Sequence, residues 1–226
     1  MSNFLRFSSL TKKFIMALAG AFLMVFLVVH LGINLFIIPI TPNHKEIFRE
    51  AVYFMTSNPL IKIMEVFLFG GFIIHIIVGV VLQIQNWMAR PVRYKKEGWS
   101  HTSVFSKFMI HTGVVIFIFL VIHLMNFYLV KAGITSPPEG PARVTDDHDF
   151  YTMAFNLFSN NTYSVVYIVL IILLGFHLNH AFQSAFQSLG LDHSKYMPFI
   201  KAVGDIYSIA IPLGFCMIPL YFLIYH

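Results

Sequence analysis

The chain is short of charge and of cysteine, and both shortages exclude whole classes of protein. Only 11% of its 226 residues are charged, against roughly a quarter in soluble globular domains. Meanwhile 58% are hydrophobic and the mean hydropathy is +0.75. Such a composition belongs to an integral membrane protein, so the formal net charge of +5 reads as a topology signal and not as a nucleic-acid footprint. The one cysteine, Cys216, excludes disulfides within the chain, thiolate-held clusters and thioether attachment of a cofactor through C-x-x-C-H. No internal repeat or low-complexity tract is present.

What the sequence does have is long apolar runs. A chain of this length holds about five spans of roughly 20 to 27 residues with their loops, which predicts one compact bundle and a single domain over residues 1–226. Span I runs from about Lys12 to Ile38 and stops at Pro39 and Pro42. Span II runs from Pro59, acceptable at a helix start, to Trp87, before Arg90-Pro91. Span III covers Val104 to Val130, span IV Tyr163 to Ser188 before Gly190, and span V Phe199 to Tyr225. The runs are too long for the roughly ten-residue alternating strands of a membrane barrel, so the expected fold is an all-α transmembrane bundle. Ala17-Leu18-Ala19 faintly resembles a cleavage site, but most of the apolar run follows it, and span I is therefore kept in the mature protein.

Loop charges set the expected orientation. Arg6, Lys12 and Lys13 precede span I, Arg90, Arg93, Lys95, Lys96 and Lys107 fill the loop between spans II and III, and Lys195 and Lys201 flank the turn between IV and V. By the positive-inside rule these ends face the cytoplasm of a bacterial cell, with the N-terminus. The other loops carry only Lys45, Arg49, Lys131 and Arg143, and Asp146, Asp147 and Asp149 make one of them acidic. The segment from Gly133 to Asn161 is the longest connection and reads as an external cap or irregular loop.

Four histidines, His30, His75, His123 and His177, each fall inside a different apolar run. Polar groups inside a membrane are rare and usually functional, and neutral imidazole is the commonest metal ligand. Their depths sort them into pairs. At a helical rise of about 1.5 Å per residue, His30 lies roughly 13 Å before Pro39 and His123 roughly 12 Å before Lys131. By the same rise His75 lies roughly 24 Å beyond Pro59 and His177 roughly 21 Å beyond Tyr163, about 10 Å deeper. Facing imidazoles at one depth can bind iron above and below a porphyrin, so the pattern predicts two stacked, non-covalently held haems. The bland alternative for any one histidine is an interhelical hydrogen bond, worth about 1 to 2 kcal/mol. Met, with eleven copies, is a possible axial ligand but common apolar filler, and Gly20, Gly70, Gly71, Gly79, Gly113 and Gly175 serve close helix packing as readily as a macrocycle.

The remaining histidines rank lower. His180 follows His177 by three residues on the same helix face, where it can replace it as ligand or hydrogen-bond a propionate. His111 sits one turn inside span III, at the interface. His44, His101, His148, His193 and His226 are expected to be solvated in loops or at the terminus.

These residues also carry a family resemblance. Lys12-Lys13-Phe14-Ile15-Met16-Ala17-Leu18 leading to Val29-His30-Leu31 and Asn34, Ile74-His75, Ile122-His123, and Phe176-His177-Leu178 followed by Ser184 and Gly190 resemble the cytochrome b subunit of succinate dehydrogenase or fumarate reductase. The similarity is to its single-chain, five-helix, two-haem form and spans essentially the whole chain. It implies a membrane anchor carrying electrons between cytoplasmic flavoprotein and iron-sulfur subunits and a quinone, menaquinone by preference, in either physiological direction. It implies that His75 and His177 hold the haem b nearer the cytoplasm, and His30 and His123 the outer one, with His177 favoured over His180.

The quinone site is less defined by sequence. Glu65 is a rare membrane carboxylate that either exchanges protons with quinone or pairs with Lys62 or the interface. Asn34 reads as a hydrogen-bonding partner of a haem or quinone or as a packing contact. Ser8, Ser9, Lys12 and Lys13 read as partners of propionates or of the iron-sulfur subunit, or simply as a basic anchor. Two further classes stay open: a haem-bearing anchor of another redox enzyme, such as a formate dehydrogenase or hydrogenase, and a transporter. A transporter should show broken helices or inverted repeats, and the sequence signals neither.

Overall fold

The computed structural model describes residues 8–89 and 109–225, and they form an all-α bundle. Hydrocarbon offers the backbone no hydrogen bonds, so each apolar run has to satisfy its own amides as helix. Five helices among the described residues are long and apolar enough to cross a membrane: Ser9–Ile37, Pro59–Met88, Met109–Lys131, Asn161–Ser188 and Met197–Tyr225. This is the architecture of a multi-pass integral membrane protein. The expected spans I, II, IV and V coincide with these helices to within a few residues. The start of span III at Val104, the basic residues from Arg90 to Lys107, Arg6, His101 and His226 lie outside the described residues.

We number the helices α1 (Ser9–Asn34, continued by a 3-10 turn, Leu35–Ile37), α2 (His44–Ser57), α3 (Pro59–Met88), α4 (Met109–Asn126), α5 (Tyr128–Lys131), α6 (Phe150–Phe158), α7 (Asn161–Ser188) and α8 (Met197–Tyr225). Their starts are capped by the residue types that do so best. Ser8 accepts from the Thr11 amide, Asn58 from Leu60, Asp149 from Thr152 and Asn160 from Thr162. Pro59 occupies the first turn of α3, where its missing N–H costs nothing. The third span is interrupted at Phe127 between α4 and α5, which the sequence had not signalled. The interruption lies one turn from the end of that span.

Helix α3 packs on α1, α1 on α7 and α7 on α4, while α3 and α4 touch only sparingly; α8 packs behind α7 and α1. The α7–α8 pair is the tightest. Pro212 has no N–H for the Ser208 carbonyl one turn before it, and Gly175 lets α7 approach that carbonyl. A Cβ on Gly175 would lie 3.0 Å from the Ser208 oxygen and 3.1 Å from Pro212 Cγ. Asn179 Nδ2 adds bonds to Asp205 Oδ1 (2.7 Å) and Ser208 Oγ (3.1 Å), and the Tyr207 hydroxyl donates to the Met24 carbonyl of α1 (2.7 Å).

Two apolar cores stand at opposite ends. One joins Ala17 and Met24 of α1 to Leu178, Phe182 and Ala185 of α7 and to Met197 and Ile200 of α8, at the N-terminal end. There Lys12, only 3% exposed, donates to Gln85 Oε1 (2.8 Å), tying α1 to α3. The other core joins Ile37, Phe48 of α2, Ala154, Leu157 and Phe158 of α6, Tyr167 and Ile171 of α7, and Phe222 of α8. We call this the cap end.

The cap corrects two expectations. The Gly133–Asn161 segment is not an irregular loop throughout, because its apolar stretch FYTMAFNLF forms α6 and buries Met153, Ala154, Asn156 and Leu157. Asn156 holds the preceding strand of chain, donating to the Pro138 and Ala142 carbonyls (3.2 and 2.7 Å) and accepting from the Ala142 amide (3.0 Å). His44 is likewise not solvated. It is 8% exposed, with Nδ1 3.0 Å from the Phe36 carbonyl, because α2 folds back over the end of α1.

Two predictions follow from this packing. Gly175→Ala should cost about 1–3 kcal/mol, since backbone cannot yield to the added methyl; a detergent-solubilised variant whose thermal midpoint equals the parent's would refute it. Burial alone would push the Asp149 carboxyl up, but hydrogen bonds from Thr152 and Thr145 outweigh it and hold it below the usual carboxylate range. Its contribution is present above the unfolded value of about 3.9 and lost as pH falls through the lower folded value. Acid should therefore loosen the cap below about pH 4, read as faster amide exchange in α6, and Asp149→Asn should flatten that dependence.

Candidate functional site

Helices α1, α3, α4 and α7 enclose a four-sided interior, with α1 opposite α4 and α3 opposite α7. The four intramembrane histidines project across the two diagonals. The rings of His30 on α1 and His123 on α4 have centroids 5.8 Å apart and are nearly perpendicular. Those of His75 on α3 and His177 on α7 are 6.3 Å apart at 70°. The pairs brought together are the ones that depth along the helices had matched.

The two pairs stand at different heights. The Gly20 face lies against the His75 ring and the Gly113 face against the His177 ring, at 3.6 and 3.8 Å from a Cβ position. His30 follows Gly20 by ten residues on α1, and His123 follows Gly113 by ten on α4. At about 1.5 Å per residue both helices give a separation of roughly 15 Å, wider than the 10 Å expected from span ends.

Their surroundings differ. His30 and His123 sit among Phe26, Phe119, Phe127 and Phe215, with ring centroids 5.1 to 6.1 Å away. Asn34 Nδ2 donates to the His30 carbonyl (2.7 Å) and lies 3.3 Å from its Nδ1. The helical i, i+4 spacing of Asn34 thus places it on His30 itself. At the second pair Thr112 Oγ1 lies 3.2 Å from His177 Nδ1, while His75 Nδ1 is buried with no hydrogen-bond partner. All four rings are half-buried. His180 is half-buried on α7 near His177, and His111 is exposed at the start of α4.

No side chain of α4 is fully buried and only Val78 of α3 is, whereas α8 buries nine residues. Sequence reasoning missed Thr112, which nothing distinguishes from any other threonine in an apolar span, and gave no site status to Gly20 and Gly113.

A second polar feature lies at the cap end between α3 and α5. Glu65 Oε1 accepts from the Tyr128 hydroxyl (2.6 Å) and Oε2 from Lys131 Nζ (3.2 Å). Its direct ion-pair partner is Lys131, while Lys62 acts on it from farther away. This cluster lines a cavity of about 380 Å³ with Val66, Phe69 and His148. His148 is exposed, its Nδ1 2.8 Å from Asp147 Oδ1. Asp146, Asp147 and His148 also form the one grouping of possible metal-binding side chains found among the described residues; all three are exposed.

No protein-family model, no curated protein and no solved structure matches the chain.

Proposed function

We propose that this membrane-embedded bundle is the cytochrome b anchor of a succinate:quinone oxidoreductase, holding two b haems and relaying electrons between an iron-sulfur partner and a quinone. The observation that carries this reading is the pair of facing imidazoles on each diagonal. Two imidazoles binding one metal from opposite sides, with bonds of about 2 Å and about 1 Å more from nitrogen to ring centre, have centroids about 6 Å apart. The separations of 5.8 and 6.3 Å suit that arrangement. The unpartnered buried Nδ1 of His75 fits a bound group equally well.

Haem, when bound, supplies one-electron transfer at a potential set by its ligands and their surroundings. His75 and His177 would be the ligands nearer the N-terminal end, His30 and His123 those nearer the cap, and His180 a neighbour of the first pair. Four histidines as ligands leave no open coordination position, which suits electron transfer and not substrate chemistry. The phenylalanines around His30 and His123 keep water away, and the only cysteine, on α8, is unsuited to covalent attachment. The N-terminal end, with Lys13, Lys195 and Lys201, would face the cytoplasm and meet the soluble flavoprotein and iron-sulfur subunits.

The cavity at Glu65 would receive the quinone head. Val66 and Phe69 offer apolar walls to its ring, while Glu65, Tyr128 and Lys131 can hold its oxygens and exchange the accompanying protons. Menaquinone is the favoured substrate by the family resemblance.

A transporter would need a broken helix near the membrane centre; the interruption at Phe127 is near the end of its span instead.

The purified chain is expected to give a reduced-minus-oxidised spectrum of two low-spin b haems, and His30→Ala, His75→Ala, His123→Ala and His177→Ala should each lose one. A colourless protein would sink the reading. Glu65→Gln should keep both haems and their reduction by soluble donors while slowing quinone-linked turnover by about 10²-fold or more; unchanged turnover would remove Glu65 from the quinone site.

A further inference from the structure

Thr112 lies within hydrogen-bond distance of an intramembrane imidazole, and its own proton is already committed. A threonine hydroxyl has one hydrogen to give and lone pairs to accept with. Thr112 Oγ1 donates to the Met109 carbonyl at 3.0 Å, closing back onto its own helix. The same oxygen lies 3.2 Å from His177 Nδ1. With its hydrogen spent on Met109, it accepts there, so the hydrogen between them belongs to Nδ1. In a neutral imidazole that leaves Nε2 as the nitrogen with the free lone pair. Residue 113 is glycine, and a Cβ there would sit 3.8 Å from His177 Cε1, so the ring rests against the α4 backbone beside its hydrogen-bond partner.

We infer that Thr112 is a positioning residue that fixes the tautomer and rotation of His177, presenting Nε2 toward the space it shares with His75. The inference rests on the two-haem reading and deepens it. His75, the opposite member of the pair, has no partner at Nδ1, so Thr112 is the polar side chain that orders this site among the described residues. A ligating imidazole that donates its other N–H is more basic. It therefore favours the oxidised iron and lowers the reduction potential of that haem.

The test is a redox titration of the purified holo-protein, following each b haem optically. Thr112→Val keeps the shape and removes the acceptor, and Thr112→Ala does so without crowding. Both should retain two haems and raise one midpoint by about 59 mV, a tenfold change in the one-electron equilibrium, leaving the other in place. Thr112→Ser should behave as the parent. Loss of one haem in the Val and Ala variants with retention in Ser supports the same assignment, since an untethered ring can turn away. Unshifted midpoints in Val and Ala, or a Ser variant as disturbed as they are, would overturn it. A parent protein with no haem at all would instead be a failure of the functional reading itself.

Discussion

An imidazole withdrawn from water has to find a partner inside the bundle, and four of them set the arrangement of this one. Each lies on a different helix, and lipid offers no compensation for a polar ring. The rings turn inward across the diagonals of α1, α3, α4 and α7, where each meets another ring. Two of them gain side-chain company as well, His30 from Asn34 and His177 from Thr112. The tight packing is displaced to the outside of this unit, where α8 lies against α7 through Gly175 and Pro212. The closest helix contact thus lies behind the histidine-bearing helices and not among them.

The cap adds packing at one end of helices that, in lipid, associate without a hydrophobic driving force between them. Here α2 and α6 provide it. Phe48 and Leu157 enter the core that holds Tyr167 of α7 and Phe222 of α8, and His44 closes on the Phe36 carbonyl. Glu65 with Tyr128 and Lys131 joins α3 to the end of the third span at the same level, where direct packing between α3 and α4 is thin. That polar tie, with the Phe69–Tyr128 ring contact beside it, crosses the thinly packed side of the interior, which makes the cluster structural as well as a suitable lining for a cavity.

Much of this was legible in the residues. Apolar runs of bilayer length define the five spans, because backbone in hydrocarbon has no choice but helix. The pairing of histidines was also legible, since a helix converts sequence number into depth at a fixed rise. The spacing between levels was not, because hydropathy places span ends to within a few residues and the error enters directly; distances along α1 from Gly20 to His30 avoid it. The helices α2 and α6 were missed for a different reason. α2 carries Lys45, Glu46, Arg49 and Glu50 on one side and reads as a polar loop, and α6 is nine residues set among prolines and aspartates. Glu65 was singled out correctly as a membrane carboxylate, but its partner is 66 residues away in sequence, and no local pattern reports that.

The two histidine pairs are not equivalent, and the difference has a consequence on the proposed reading. His30 and His123 are surrounded by phenylalanine rings, which keep the local dielectric low, and their polar neighbour is the Asn34 amide 3.3 Å from His30 Nδ1. His75 and His177 have Gly20, Gly113 and Thr112, so backbone comes close and one ring is held by a hydroxyl. A low dielectric disfavours the state of higher net charge, whereas a ligand N–H donated to an acceptor stabilises the oxidised metal. Two centres built from the same side-chain type would then differ in potential through their neighbours alone. On that reading the potentials of two centres roughly 15 Å apart would be set by residues that are not ligands.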